Sequence, residues 1–378
     1  MPEQRQLWPR NSAKIPLLSP RRASKLRLVH ASVIFPPPDE AAMQLCRRIV
    51  PSLSLILLVL AGCSSDRRHA VAVTDPSVTP AQRAASPGHD DEIVSPVLQQ
   101  LNDQLAARGL GVQLVKVELL GSFNIEHKGI TIIDNDRHKQ LNSHFVPGDT
   151  RRNADGNNIT YLVDQSDATP NGGLTSAQAE AAIDRAMATW NSVECAKIPI
   201  VKRADSGADP DLIDGLLGFG TVGTPFSADI VQAGWISPAF FDAFLPGAGN
   251  YILGGTFTFI LFDAASGNDI NRDGKFDVAW REIYYNNHFA WGIDADPPVA
   301  DVETVALHES GHGLSQDHFG LIFQKNEPGD PNTMPDGDGD IQFAPFAVMN
   351  ATIFVQNHLL QGTDIGGHCG IWGNWPNK

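Results

Sequence analysis

The stretch HESGHGLSQDH, His308 to His318, places three histidines and one glutamate within a short span of the chain. It falls in a predicted helix, and residues four apart on a helix share a face, so His308 and His312 point the same way. Two imidazole nitrogens one turn apart can bind a single metal ion at about 2.0–2.1 Å. Glu309 is turned toward a water on that ion rather than toward the ion itself, which is the position of a general base.

His318 extends this pair to a set of three nitrogens. Gly311, Gly313 and Ser315 weaken the helix after His312, so the chain can turn back and bring His318 to the same ion. Three protein ligands leave the fourth position of a tetrahedral zinc site open for water, as catalytic zinc requires and structural zinc does not. Because zinc lowers the pKa of such a water and a carboxylate stands beside it, the motif predicts hydrolytic chemistry.

Two other interpretations of the histidines stay open. The spacing can arise by coincidence on a surface helix that binds no metal. Alternatively, a glutamate is the third ligand, and Glu327 is then the candidate. A histidine at the right spacing favours His318 over Glu327.

The motif resembles the extended zinc motif of the metzincin metallopeptidases, His-Glu-x-x-His-x-x-Gly-x-x-His. The residues that match this motif are His308, Glu309, His312 and His318. Gly311 also matches the His-Glu-x-Gly-His form that is common in the matrixins. From Asn158 to the C-terminus, the order of predicted elements is also similar to that of the matrixins. The resemblance implies an α+β fold with a mixed twisted sheet, a long helix, an active-site helix and a C-terminal helix after a methionine turn. It also implies peptidase activity with Glu309 as the catalytic base.

Three features depart from the family pattern. Ser315 stands where the family has glycine, in a turn conformation that costs a non-glycine residue about 1 kcal/mol, so the turn is expected to differ locally. The methionine turn fits AVMNA best, Ala347 to Ala351, with Met349 as its methionine and Met334 as the alternative. A cysteine of the matrixin switch type is missing from the sequence, so any latency would work otherwise.

Residues 158–378 form the predicted catalytic domain. Its predicted strands are Ile159–Asp164, Lys197–Arg203, Ala228–Ile236, Asn250–Phe262 (one strand or a hairpin) and Arg281–Gly292, and its predicted helices are Thr175–Val193 and Val302–Leu314. The segment from Arg281 to Trp291 is expected to be a sheet edge on which an extended substrate pairs. Residues 95–157 contain a predicted helix from residue 97 to 107 and an alternating strand from residue 112 to 120. They form either an N-terminal layer of this domain or a short pro-segment.

A second motif, NDINRDGKFD from Asn268 to Asp277, resembles the first nine positions of an EF-hand calcium loop. Its possible calcium ligands are Asp269, Asn271, Asp273, Lys275 and Asp277. The glutamate expected at the twelfth position is missing, since Trp280 stands there and Glu282 follows two residues later. An acidic turn in a β-hairpin is the alternative, and the DGDGD sequence at residues 336–340 is a weaker motif of the same kind.

The first 62 residues differ in charge from the rest, with nine Lys or Arg and three acidic residues in a chain whose net charge is −15. Residues 43–62 resemble a signal peptide, because a positive segment precedes an apolar run too short to span a bilayer. The run ends in LAGC, which resembles the lipobox of bacterial lipoproteins and implies lipidation of Cys63. An ordinary signal peptide with a chance cysteine is the alternative. Residues 1–42 would then lie upstream of the true start, and residues 63–94 would be a flexible tether.

Export, with Ser64 after the cysteine, favours an anchor at the bacterial outer membrane. It also leaves Cys195 and Cys369 as the only cysteines of the body in an oxidising compartment. A single pair there favours one disulfide, and two buried thiols are the alternative.

The function predicted from the sequence is therefore that of an exported zinc endopeptidase, expected to be a monomer acting on protein or peptide substrates. Its only contact with a membrane would be the lipid anchor. The acidic net charge argues against a nucleic-acid partner, which requires a basic surface. The rival is a non-catalytic adhesion or binding protein, anchored at the surface, that binds zinc or calcium. The presence of Glu309 favours the enzyme, because a purely structural site needs no base.

Overall fold

The computed structural model describes residues 96–122, 130–132, 140–152, 157–167, 169–262, 267–325, 340–353 and 355–377. The predictions for residues 1–94, including lipidation of Cys63, lie outside the described residues, and so do those for Glu327, Met334 and residues 336–339. None of the helices in the described part of the chain has the length and apolar character that a membrane span needs.

Six α-helices are present in the described ranges. They are α1 Pro96–Ala107, α2 Ser176–Asn191, α3 Ile213–Leu217, α4 Pro238–Phe244, α5 Val302–Gly313 and α6 Gly362–Trp372. The three helices predicted from periodicity are confirmed as α1, α2 and α5, with ends within two residues. Thr175 caps α2 as expected. Its hydroxyl accepts a hydrogen bond from the Gln178 amide, and the Gln178 side chain accepts one from the Thr175 amide.

The strands run along the chain between these helices. They are β1 Val112–Gly121, β2 Ile130–Ile132, β3 Ser143–His144, β4 Ile159–Val163, β5 Ile200–Lys202, β6 Ile230–Ile236, β7 Ile252–Leu261, β8 Phe276–Asn286, β9 Trp291–Gly292, β10 Ala300–Asp301, β11 Leu321–Lys325 and β12 Asp340–Ala344. The main sheet has the order β2-β1-β7-β8-β6-β4-β5, and β3 pairs with the start of β8. Strands β8, β6, β4 and β5 are parallel, whereas β7, β1 and β2 are antiparallel to their neighbours. The sheet is therefore mixed, which is consistent with the α+β class.

The expectation of a sheet edge at Arg281–Trp291 is wrong. Strand β8 begins earlier, at Phe276, and pairs with β7 on one side and β6 on the other. All of its residues after Phe276 are buried, so the strand has no solvent face that alternation could reveal. The Asn250–Phe262 segment is one strand, β7, and not a hairpin.

The N-terminal strand β1 is part of this sheet, and the N-terminal helix α1 packs against it. Strand β1 pairs antiparallel with β7 from Val112 opposite Leu261 to Gly121 opposite Ile252. Helix α1 buries three leucines, at positions 98, 101 and 105, in the same apolar cluster as β1. The strand therefore covers the long side of β7 that β8 leaves open.

Apolar side chains form two cores, one on each face of the sheet. The first contains α2, α5 and α6, with Trp190 and Trp372 among its largest members, and the second contains α1 and α4. Successive strand residues alternate between them, as Ile230 and Val231 of β6 show. Helix α5 lies in the first core, where it packs against α2 and contacts β7 and β8.

Candidate metal centre

Helix α5 is buried on all sides, so its polar side chains must find partners inside the protein. Its N-cap is Asp301, whose carboxylate accepts a hydrogen bond from the Thr304 amide at 2.8 Å and lies 2.6 Å from His358 Nε2. Trp190 of α2 donates from Nε1 to the Leu307 carbonyl at 2.8 Å. The helix is thereby fixed at both its start and its middle.

The three histidines bring their Nε2 atoms together at one point. His308 and His312 Nε2 are 3.0 Å apart, and each lies 3.1 Å from His318 Nε2. Nitrogens bonded to one tetrahedral zinc ion at about 2.0–2.1 Å stand about 3.3 Å apart. The spacing therefore fits one small cation. The triad is one of two groups of potential metal ligands in the described part of the chain.

Each imidazole faces an oxygen atom at its other nitrogen. His308 Nδ1 lies 2.6 Å from the Val348 carbonyl oxygen, and His312 Nδ1 lies 2.8 Å from that of Gln316. His318 Nδ1 faces a carboxylate of β1. An Nδ1–H that donates outward leaves the lone pair on Nε2, facing the other two rings, which is the tautomer that a metal ligand requires.

Burial keeps these imidazoles neutral. It lowers the pKa of His308 to about 4. The pKa values of His312 and His318 fall well below their usual range, mainly through burial and also through the neighbouring imidazoles and Lys116. A neutral ring is the form in which histidine binds a metal, so the triad offers three nitrogen donors at pH 7.

Glu309 directly follows His308 in the sequence, and its side chain is fully buried. Thr256 of β7 donates from Oγ1 to Glu309 Oε2 at 2.6 Å. The other oxygen, Oε1, has no hydrogen-bond donor among the described residues and lies against Gly254, where a Cβ would stand 3.2 Å away. Burial, aided by the charge of Glu118, raises the pKa of Glu309 well above its usual range. A cation held at the triad would oppose that rise.

The turn after α5 directs His318 back to the site. Ser315 adopts a φ of +69°, the left-handed conformation expected of a glycine. Its amide donates to the His312 carbonyl, and the Gln316 amide donates to the Gly311 carbonyl, both at 2.9 Å. The fully buried Arg281 of β8 donates to Ser315 Oγ at 3.1 Å and to the last carbonyl of α5 at 2.9 Å. The serine hydroxyl thus contributes a hydrogen bond that a glycine could not.

Met349 is fully buried beneath α5. A Cβ at Gly311 would overlap its sulfur atom, so the helix and the methionine approach closely because position 311 has no side chain. Asp364 of α6 accepts hydrogen bonds from the Val348 and Met349 amides at 3.0 and 3.2 Å. The same turn supplies the Val348 carbonyl to His308. The role of Met349 as the methionine of a metzincin-type turn stays a prediction.

Two charged residues of β1 reach the centre, and the sequence analysis missed them. Glu118 Oε2 lies 3.4 Å from His318 Nδ1. Lys116 Nζ lies 2.7 Å from Glu118 Oε1 and 3.6 Å from Asp317. A signal was present, since Lys116 and Glu118 share one face of the otherwise apolar VQLVKVELL, and buried charges require partners.

The predicted calcium loop at Asn268–Asp277 has its own internal contacts. Asp269 accepts hydrogen bonds from the amides of residues 273 and 274. Asp277 belongs to β8, where it pairs with Arg151 and accepts the Ile270 amide at 2.7 Å. Within the described residues, its acidic side chains do not form one of the two convergent groups. Calcium binding at this loop stays a prediction.

Cys195 and Cys369 form the expected disulfide, with Cα atoms 5.4 Å apart and a sequence separation of 174 residues. It joins the chain just after α2 to helix α6. Trp372 of α6 donates from Nε1 to the Leu314 carbonyl at 2.8 Å. The disulfide therefore holds α6 to the end of α2, while Trp372 joins α6 to the end of the helix that carries the histidines.

Comparison with known proteins does not assign the chain to a family. No protein-family model matches it. A search of curated proteins likewise finds no match. The function must therefore be argued from the geometry of the site.

Proposed function

We propose that the protein is a zinc-dependent endopeptidase of metzincin type. The observation that carries this proposal is the convergence of three Nε2 atoms whose rings each face an oxygen at Nδ1. Structural zinc is almost always held by four protein ligands, whereas catalytic zinc keeps one position open. A set of three nitrogens, with the buried carboxyl of Glu309 on the same helix, fits the catalytic kind.

The order of the described elements supports the metzincin type. A strand (β4), a long helix (α2) and further strands (β5 to β8) precede the histidine helix, as the resemblance implies. Met349 then lies beneath α5, and helix α6 follows it.

Zinc, when bound, supplies a Lewis acid that activates water and polarises the peptide carbonyl. Glu309 accepts a proton from the attacking water, and Oε1 is the oxygen available for it because Thr256 binds Oε2. The same carboxyl then gives that proton to the nitrogen of the leaving amine, so the C–N bond breaks after the new C–O bond has formed. His308, His312 and His318 stay neutral and hold the metal.

An apolar cleft beside the centre supports a preference among substrates. Its lining includes Thr304, Ala347, Val348, Ile353 and Val355. The Val348 carbonyl is also the acceptor for His308 Nδ1, so the cleft adjoins the metal ligands. We therefore propose that an apolar side chain of the substrate enters this cleft.

One observation favours a second candidate, a binding protein whose metal is structural. His308, Glu309 and His312 are 0% exposed, and β1 pairs along β7 next to them. Only His318 of the triad is partly exposed, so a polypeptide would approach the centre from the His318 side. In a binding protein, the three histidines would only stabilise the fold.

The test is hydrolysis of a peptide library by the zinc-loaded protein, with and without a chelator, beside zinc content by elemental analysis. Cleavage that is lost with the chelator and in Glu309→Gln, while that variant keeps its zinc, supports the peptidase. Bound zinc without cleavage of any peptide supports the binding protein.

We also propose that the protein is exported and held at the outer membrane by a lipid on Cys63. The LAGC sequence after the apolar run supports this. Mass spectrometry of the mature protein should find a lipidated N-terminus at residue 63, and Cys63→Ser should stop its partition into detergent. An unmodified N-terminus elsewhere would contradict the anchor.

A further inference from the structure

Three aspartates meet at the carboxyl end of β4. This strand lies near the end of the sheet opposite β1. Asp164 directly follows that strand, and Asp209 and Asp211 lie between β5 and α3, at the start of the β5–β6 loop that contains this helix. One carboxylate oxygen from each lies within 4.8 Å of the other two. Both Asp164 and Asp211 are 1% exposed, so two of the three carboxylates are withdrawn from water.

Asp211 is the exceptional member of this group. Neither of its carboxylate oxygens accepts a hydrogen bond from a described residue. Asp164 differs, because the Ser166 amide and hydroxyl both donate to it at 2.8 Å. A buried carboxylate without donors is costly, so something else must compensate Asp211.

A neighbouring acidic residue, Glu282, shows how hydrogen bonds compensate a buried carboxylate in this region. Glu282 of β8 is fully buried and accepts four hydrogen bonds. The donors are the Leu212 and Ile213 amides, Trp280 Nε1 and the Tyr284 hydroxyl, at 2.9 to 3.2 Å. The fold therefore supplies donors to one buried carboxylate and leaves Asp211, close to it, with none.

The charges around Asp211 are negative. Burial, then Glu282, Asp214 and Asp209, raise its pKa to about 12. Asp214 lies within hydrogen-bonding reach, but two carboxylates can share a hydrogen bond only if one of them carries a proton. Either a proton or a cation must therefore occupy the space between these oxygens.

We infer that Asp164, Asp209 and Asp211 bind a calcium ion that joins the β5–β6 loop to the end of β4. Two oxygens that contact one calcium ion at about 2.3–2.6 Å can be at most about 5 Å apart, and the observed spacing lies within that limit. A set made only of carboxylates favours a hard cation over zinc, which prefers nitrogen and sulfur. This site is separate from the loop at residues 268–277 and does not depend on the proposed peptidase activity.

The loop backbone is compatible with such an ion. The Thr224 amide donates to the Asp209 carbonyl at 2.8 Å. A Cβ at Gly223 would overlap the carbonyl oxygens of Asp209 and Asp211, so the return of the loop passes close against these residues. The ion would hold the start of this loop against the end of β4, and the backbone contacts of residues 223 and 224 hold the return of the loop against its start.

The test is a calorimetric titration of the zinc-loaded full chain with calcium chloride, in wild type and in Asp211→Asn. Asparagine keeps the size of the side chain and removes its charge. We expect Asp211→Asn to lose one calcium site or to bind there at least about tenfold more weakly, because affinity follows the number of charged ligands. Asp296→Asn, at an exposed position outside both acidic clusters, is the matched control and should keep that site.

Thermal unfolding separates calcium from a shared proton. With calcium at Asp211, calcium raises the melting temperature of wild type, and the rise is absent in Asp211→Asn. Without calcium, the variant should unfold at about the same temperature as wild type, because Asp211 then holds a proton and its neutral carboxyl resembles the asparagine amide. If wild type binds no calcium, or if Asp211→Asn binds it with wild-type stoichiometry and affinity, the inference is overturned.

Discussion

The described part of the chain holds two clusters of potential metal ligands, and they are built in opposite ways. The histidine triad comes from one helix and the turn after it, and its donors are neutral nitrogens. Each ring faces an oxygen that orients it. The aspartate cluster joins a strand end to a distant loop, and its donors are like charges. Asp211 has no hydrogen-bond donor among the described residues.

This difference shows two ways of preparing a metal site. The contacts at Nδ1 orient the rings of the triad through the protein's own groups. Repulsion remains in the aspartate cluster until a cation or a proton enters. Loss of metal from the triad should therefore affect chemistry more than folding, whereas loss of metal from the aspartates should affect stability more than chemistry.

The most severe test of this contrast is His312→Ala. One of three ligands is removed, so bound zinc and peptide hydrolysis should both fall below detection. The calcium-dependent rise in melting temperature should remain, because the aspartates are untouched. Elemental analysis, a peptidase assay and thermal unfolding measure the three effects. His288→Ala, at an exposed position, is the control and should keep zinc, and a zinc-loaded His312→Ala protein would contradict the triad.

Glu309→Gln separates metal binding from chemistry. Zinc content should equal that of wild type, since the triad is intact, while the hydrolysis rate should fall by about 10²–10⁴-fold with loss of the base. Glu303→Gln, on the same helix and paired with Arg185, is a matched control that should leave the rate unchanged. An unchanged rate in Glu309→Gln would exclude the proposed mechanism.

His368 is a buried histidine that differs from the triad, because neither of its ring nitrogens has a hydrogen-bond partner among the described residues. It is 0% exposed and packs against Trp190 with ring centroids 5.0 Å apart. Burial lowers its pKa to about 4, from 6.5. The unfolded chain therefore binds a proton that the folded protein does not, and stability is lost as the pH falls from 6.5 to 4.

The pH dependence of unfolding tests this point. Between pH 7 and pH 4, wild type should lose roughly 3 kcal/mol more than His368→Gln in free energy of unfolding. Denaturant titrations at several pH values measure it, and the contribution of the triad cancels because both proteins contain it. Parallel curves for the two proteins would show that His368 does not titrate on unfolding.

The smallest expected effect concerns the contact between α5 and Met349. Gly311→Ala should reduce the free energy of unfolding by about 1–3 kcal/mol, because its Cβ overlaps the methionine sulfur. Gly313→Ala should cost less, since the nearest atom is the flexible end of Ile230, 3.2 Å away. Combining Gly311→Ala with Met349→Ala should cost less than the sum of the two single changes. Strict additivity would mean that the two residues do not press on each other.

The sequence allowed prediction of what local spacing determines. His308 and His312 lie one turn apart whatever the rest of the fold does, and Thr175 caps α2 through residues next to it. The pairing of Cys195 with Cys369 was also predictable, because no other cysteine remained in the body. For each of these features, the sequence leaves only a few possible arrangements.

Features that depend on distant pairing were not predictable. Strand β8 looked like an edge because its sequence does not reveal that β7 and β6 flank it. Glu118 reaches His318 only because β1 crosses the sheet beside β7. Asp164 and Asp211 are separated by α2 and β5, so only the folded sheet brings their oxygens together. The acidic loop at residues 268–277 had the clearer motif, but it does not have the unpartnered buried carboxylate.

The pairing of β1 with β7 has a consequence for synthesis. A ribosome makes α1 and β1 before β2 to β6, and the edge of β1 that pairs with β7 stays unpaired during that time. At about 5–20 residues per second this interval lasts many seconds, long enough for collapsed chains to associate. Such contacts between distant segments also make folding slow. The first strand of the sheet is thus among the last to be secured, and its edge toward β7 stays open to wrong pairing until β7 is complete.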